Sequence, residues 1–350
     1  MRLRLAFGMA WGMIKIGSLV RATGITAAWL CLADCGEKKP PPATAASSSA
    51  TASAPTAAPA PAAPSGETAK PAATASSSPA TPPPPSAPAP PPLLAAPQSR
   101  KTTWTNELFQ AAIKKENPEY EGNGQAQIDG GEVAAISLAG AKVRSLKGLE
   151  PLKLQAIDLS GTQVTDLTPL KGQPLVELYL ESTPVQDLSA LRGAPLQKLY
   201  LSKTPVTDLS ALKGMPLVEL NLVETQVADL SPLAGCKQLE MLWLTGCPVE
   251  NLSPLEDLPL VSLTLHRTKV KNLAPLSETR LRRLHIGETP VEDLTPLRGM
   301  ALTRLVFTPA NIKRGLEVVK DLPLQEIGTR FDEEAKDLAP PSVFWERLGK

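Results

Sequence analysis

From about residue 133 to residue 308 this 350-residue chain repeats one frame, Leu-x-x-Leu-x-Leu-x-x-Thr-x-Val-x-Asp-Leu-x-x-Leu. The match is plain when Leu175–Leu191 is laid over Leu196–Leu212. The frame's valine falls at Val143, Val164, Val185, Val206, Val227, Val249, Val270 and Val291, so the step is 21 residues, with a single step of 22 after Val227. The extra residue lies in Gly235-Cys236-Lys237-Gln238, which reads as a turn. A fixed short period means a stack of coils, because one coil cannot bury its own apolar face and its neighbours must cover it.

Each position of the frame has a physical task. In Leu178-Tyr179-Leu180 the leucines alternate with an outward residue, which is the two-residue period of a strand. Stacked coils set these strands side by side in a parallel sheet. The ninth position calls for a buried polar group to satisfy turn backbone. It holds Thr162, Thr183, Thr204, Thr225, Thr268 and Thr289, with Cys247 as the exception. The following Asp-Leu-Ser/Thr-Pro-Leu, as at Asp166–Leu170, combines a good helix cap with a proline tolerated in a first turn. Twenty-one residues leave room for one 3-10 turn and no full α-helix. The expected fold is therefore an α/β solenoid, with a parallel sheet on the concave face and short 3-10 turns on the convex face. Aromatic residues are only 4% of the chain, so leucine supplies the burial.

Residues 100–132 and 309–350 read as caps over the two open ends of the array. In the first, Trp104, Leu108, Ala112 and Ile113 form a helical face capped by Thr105. In the second, Ile312, Leu316 and Val319 repeat that pattern, Leu324–Ile327 reads as one more strand, and Phe344, Trp345 and Leu348 seal the last coil.

Ahead of the caps the composition changes. Residues 1–35 have the pattern of an export signal, with Arg2, Arg4, Lys15 and Arg21 before an apolar run from Ala22 to Ala33. Residues 36–99 are mostly Pro, Ala, Ser and Thr, which cannot bury enough surface to offset ordering entropy. This segment is expected to be a disordered tether, extended where prolines run together as in Pro82–Pro85. Leu32-Ala33-Asp34-Cys35 resembles a bacterial lipobox, departing from it at Asp34. That resemblance implies lipidation of Cys35, attachment to a membrane through the acyl chains, and a place in the cell envelope facing the periplasm or the cell surface. Plain secretion is the alternative. The other cysteines, Cys31, Cys236 and Cys247, show neither disulfide nor zinc spacing.

The repeat frame, above all Asp229-Leu230-Ser231-Pro232-Leu233, resembles the short leucine-rich repeats of internalins. A finer resemblance is to leucine-rich-repeat proteins of planctomycetes and similar bacteria. It rests on the lead Glu107–Tyr120 with its Asn-Pro-x-Tyr, on Phe307-Thr308-Pro309-Ala310-Asn311-Ile312, and on the Phe344-Trp345 tail. Such arrays imply binding, usually of proteins. No contact residue of internalin adhesion can be matched here.

Function is expected where the lattice leaves residues free to vary. The central outward row reads Ser137, Asp158, Tyr179, Tyr200, Asn221, Trp243, Thr264, His285 and Val306. A neighbouring row reads Ala156, Glu177, Lys198, Glu219, Met241, Ser262, Arg283 and Arg304. Tyr179, Tyr200 and Trp243 are candidate partner-binding residues, since such rings combine contact area with a polar tip. Asp158, Glu177, Lys198, Asn221, Arg283 and His285 lie beside them in these rows. The other reading of the rings is that aromatics suit strands. Acidic residues concentrate centrally and Arg267, Arg283 and Arg304 toward the C-terminal end, a gradient able to steer a charged partner.

A formal net charge of +1 gives no footprint for nucleic acid. The two histidines, His266 and His285, read as scattered surface residues, and no catalytic, cofactor or metal motif is present. The expectation is a non-catalytic recognition module with a protein partner and no cofactor or metal. The alternatives are an envelope spacer without a ligand and a secreted adhesion protein.

Overall fold

The computed structural model describes residues 103–330 and 337–349. The segment read as an export signal, Cys35 and the Pro-rich segment lie outside these residues. The described chain is a leucine-rich-repeat solenoid built on one sheet of eleven strands, whose spatial order is the sequence order. These are β1 (Gln125–Asp129), β2 (Glu132–Ser137), β3 (Ala156–Asp158), β4 (Glu177–Tyr179), β5 (Lys198–Tyr200), β6 (Glu219–Asn221), β7 (Met241–Trp243), β8 (Ser262–Thr264), β9 (Arg283–Ile286), β10 (Arg304–Phe307) and β11 (Glu326–Gly328). From β2 onward every pairing is parallel. The first pairing, β1 with β2, is an antiparallel hairpin. The sequence reading did not anticipate this hairpin, whose Asp129-Gly130-Gly131 turn is a short-range signal for one.

The register keeps each frame position in line with its equivalents. Leu178 sits beside Leu199 and Leu199 beside Leu220. In the coil of Leu175, the side chains of Leu175, Leu178, Leu180, Val185, Leu188 and Leu191 are all at most 2% exposed. Full burial of one such side chain stabilises by roughly 1.5–3 kcal/mol, and the coils stack so that each covers the next.

The ninth position does what the sequence requires of it. Each threonine hydroxyl donates to the carbonyl three residues back, at 2.7–2.8 Å, as from Thr183 to Leu180. The Cys247 thiol instead donates to the carbonyl of Leu222 in the preceding coil, at 3.0 Å. The aspartate acts two residues ahead of its turn: Asp166 Oδ1 accepts from the Thr168 N–H at 2.8 Å. Asp187, Asp208, Asp229 and Asp293 repeat this bond at 2.7–2.9 Å. The 3-10 turns are three residues long, as at Thr168–Leu170, except Ser231–Gly235, where the 22-residue step is absorbed.

The eighth position bends the chain out of each strand. Gly140, Gly161 and Gly246 have φ of +67° to +75° there, and so do five side-chain-bearing residues, Ser182, Lys203, Glu224, Arg267 and Glu288, at +53° to +60°. Their N–H groups still bond to the next coil, as Ser182 to the Ser202 carbonyl at 2.8 Å. The left-handed backbone costs L-residues about 1–2 kcal/mol, which the surrounding ladder outweighs.

The caps partly correct the sequence reading. Helix α1 (Asn106–Glu116) is capped by Thr105 Oγ1, as expected, but its buried face is Phe109 and Ile113, while Leu108 is exposed. Phe109 and Ile113 stand four apart and share a face that Leu108 does not. Asn117 anchors this cap to the first coil. Its Oδ1 accepts from Arg144 and Ser145 N–H at 2.8 and 2.9 Å, and its Nδ2 donates to the Ile113 and Ser145 carbonyls. At the far end, α2 (Leu316–Lys320) buries Val318 and Val319, and α3 (Pro341–Leu348) sets Phe344 against Phe307, with ring centroids 5.9 Å apart.

Candidate partner-binding face

Because a strand alternates, every second residue of the short strands points away from the leucine interior. The two outward rows of the sequence reading are aligned in the ladder: Asp158 beside Tyr179, Tyr179 beside Tyr200, Asn221 beside Trp243, and Thr264 beside His285. Neighbouring parallel strands are only about 4.8 Å apart, so side chains in one row touch. The rings of Tyr179 and Tyr200 lie 5.0 Å apart, and those of Tyr200 and Trp243 lie 6.1 Å apart across Asn221. The three aromatics thus form one continuous ladder.

A charged row runs beside it. Lys198 Nζ lies between Glu177 and Glu219, at 3.8 and 3.4 Å from their carboxylates. The Tyr179 hydroxyl donates to Glu177 Oε2 at 3.0 Å, and the Tyr200 hydroxyl donates to Glu219 Oε2 at 2.5 Å. Burial, and then the Glu177 carboxylate, hold the Tyr179 phenol far above its ordinary pKa. That hydroxyl is therefore a fixed donor, and the five residues form one bonded network. Asp158, Glu177, Tyr179 and His285 are buried, whereas Lys198, Tyr200, Asn221, Trp243 and Arg283 are half-buried.

Two of the expected contact residues have structural duties. Asp158 Oδ1 accepts from Ser160 N–H and Asn221 Oδ1 from Val223 N–H, each at 3.0 Å, which closes the backbone after their strands. Arg283 lies in register between Ser262 and Arg304.

The histidines correct the sequence reading. They are not scattered surface residues but a buried stacked pair, with ring centroids 4.9 Å apart. His266 Nδ1 lies 2.9 Å from the Gly287 carbonyl oxygen, and a Cβ at Gly287 would come within 3.1 Å of both rings. Reading only two outward rows hid this. A third row, one residue beyond the second inward apolar residue of each strand segment, carries Ser160, Glu181, His266 and Gly287, and there the Ser160 hydroxyl donates to Glu181 at 3.0 Å. The structural reason is that ladder bonds such as Gly161 N–H to the Glu181 carbonyl extend the strand pattern past the second leucine.

Cys236 and Cys247 are unpaired and buried, and burial pushes both thiols up. Among the described residues no group of three or more His, Cys, Asp or Glu is placed to hold a metal, and no helix is long and apolar enough to cross a membrane.

Two solved structures share this architecture. An internalin (inlF) from Listeria monocytogenes aligns at a TM-score of 0.51 and 25% identity, covering 63% of this chain and 74% of its own. An internalin C2 (inlC2) from the same species aligns at a TM-score of 0.51 and 28% identity, covering 57% of this chain and 92% of its own. No protein-family model and no curated protein matches the sequence.

Proposed function

We propose that this protein is a non-catalytic recognition module of the bacterial cell envelope that binds a protein partner through the outward face of its strands. The observation that carries the reading is the ladder Tyr179–Tyr200–Trp243, set in an array whose interior is almost entirely leucine and valine. Tyrosine and tryptophan give large contact area with little side-chain freedom to lose, which suits an interface anchor. The bonded Glu177–Lys198–Glu219 row beside the rings holds its side chains in place before a partner arrives. The architecture shared with two internalins fits a binding role. The lipobox-like Cys35 and the Pro-rich segment after it support an exported, lipid-anchored module held away from its membrane.

The test is capture of envelope proteins on the immobilised full-length chain, compared with a variant carrying Tyr179→Ala, Tyr200→Ala and Trp243→Ala. The folded variant is expected to lose the partner. Unchanged capture would overturn the reading and leave the array as a spacer. Mass spectrometry of the mature N-terminus tests the anchor, which an unmodified Cys35 excludes.

A further inference from the structure

On the same face, two short outward side chains interrupt the rows of longer ones. On β8 the outward residues are Ser262 and Thr264. On one side stand Met241 and Trp243 of β7, and on the other Arg283 and His285 of β9. Side-chain length alone makes this step a notch one strand wide between longer neighbours.

The charges around it are unbalanced. Arg283 lies directly beside Arg304 on adjacent strands, an arrangement that destabilises a sheet. Only Arg304 is compensated, by Glu326, whose Oε2 receives its Nε at 2.6 Å and a terminal nitrogen at 2.5 Å. Lys198 has Glu177 and Glu219, and Arg267, just outside the rows, has Glu224 at 3.7 Å. Among the described residues of the strand rows, Arg283 is the cation with no carboxylate within ion-pair reach. It is also half-buried, so its field is less screened than that of a fully exposed arginine.

We propose that this notch is an anion subsite that receives an Asp or Glu carboxylate from an acidic segment of the protein partner. The inference rests on the recognition role proposed above and adds the partner's chemistry. The planar guanidinium of Arg283 takes a carboxylate through two parallel N–H bonds. The Ser262 and Thr264 hydroxyls supply further donors at the floor. Met241 and Trp243 offer an apolar wall for the methylene stem of the incoming side chain. The carboxylate also offsets the Arg283–Arg304 repulsion, which gives the arrangement a reason to exist.

The experiment uses the full chain and fluorescein-labelled deca-glutamate, followed by anisotropy at low salt, with deca-lysine as the opposite-charge probe. Deca-glutamate is expected to bind and deca-lysine not. Arg283→Gln is expected to weaken deca-glutamate about tenfold or more, the loss of one charged hydrogen-bonded pair. Arg283→Lys, which keeps the charge and loses the fork, is expected to fall between. Arg298→Gln, on the outer arc, serves as the control and is expected to change nothing. Absence of deca-glutamate binding, equal binding by a folded Arg283→Gln, or full displacement by equimolar inorganic phosphate would overturn the proposal, the last by showing a free-anion site. If Arg283→Gln still captures the envelope partner as well as the parent while the triple aromatic variant does not, the recognition reading stands and this subsite falls.

Discussion

The two faces of each strand obey different rules. Inward, the fourth frame position is Leu178, Leu199, Leu220, Leu242, Leu263 and Leu284 in successive coils, each at most 1% exposed. Outward, the next residue of the same strands reads Tyr179, Tyr200, Asn221, Trp243, Thr264 and His285. Identical coils impose identical packing on the inside, whereas the outside varies from coil to coil, held only where a side chain such as Asp158 or Asn221 closes the backbone. The contrast is why the proposed binding role is placed outward: uniformity marks what the fold demands, and variety marks what the fold permits.

The sharpest way to break this contrast is Leu220→Ala, at the centre of the array and fully buried. It is expected to cost about 2–5 kcal/mol in denaturant unfolding, through lost transfer and a residual cavity. A loss below about 1 kcal/mol would mean that the interior is not tightly packed. Asn117→Ala tests whether the end of the array is held as firmly as its middle. It strips two part-buried N–H groups of their acceptor and is expected to cost about 1–2 kcal/mol.

Acid probes the outer arc. Backbone and side-chain bonds from Thr168, Ser189, Ser210, Ser231 and Thr295 hold the carboxyls of Asp166, Asp187, Asp208, Asp229 and Asp293 below the ordinary 3.8. A depressed folded value means stability fully present above the unfolded value and lost as pH falls through the folded ones. Melting temperature should therefore hold near neutral pH and drop as pH descends below about 4. Changing the five aspartates to asparagine, which still accepts the bond, should flatten that drop.

Two smaller effects sharpen the comparison. Lys203→Gly relieves a left-handed backbone at φ +60° and should stabilise by about 0.5–1 kcal/mol, since relief of strain exceeds the added freedom of the unfolded chain. Tyr200→Phe removes a hydrogen bond from a half-buried hydroxyl on the variable face, and should shift stability by no more than about 1 kcal/mol. A larger loss would give that hydroxyl a part in holding the fold together.

Much of this was legible in the chain. The frame placed the strands, the 3-10 turns, the threonine bends and both outward rows in their true register, because a repeated period leaves only one way to stack. The cap was read less well. The choice of Phe109 over Leu108 for burial depends on how α1 lies against the first coil, and no repeat constrains that angle. The proposed binding face was legible as a list of residues but not as a set of bonds.

Sequence alone determined that leucine would face leucine across every coil, since a short unit with one apolar side has no other means of hiding it. Only the tertiary structure decided that Lys198 lies between two glutamates, that His266 stacks on His285, and that Arg283 stands beside Arg304 without a carboxylate of its own among the described residues. Those outcomes turn on rotamers and on contacts between residues about 20 positions apart in the chain, where separations of an ångström or two decide whether a charge is satisfied.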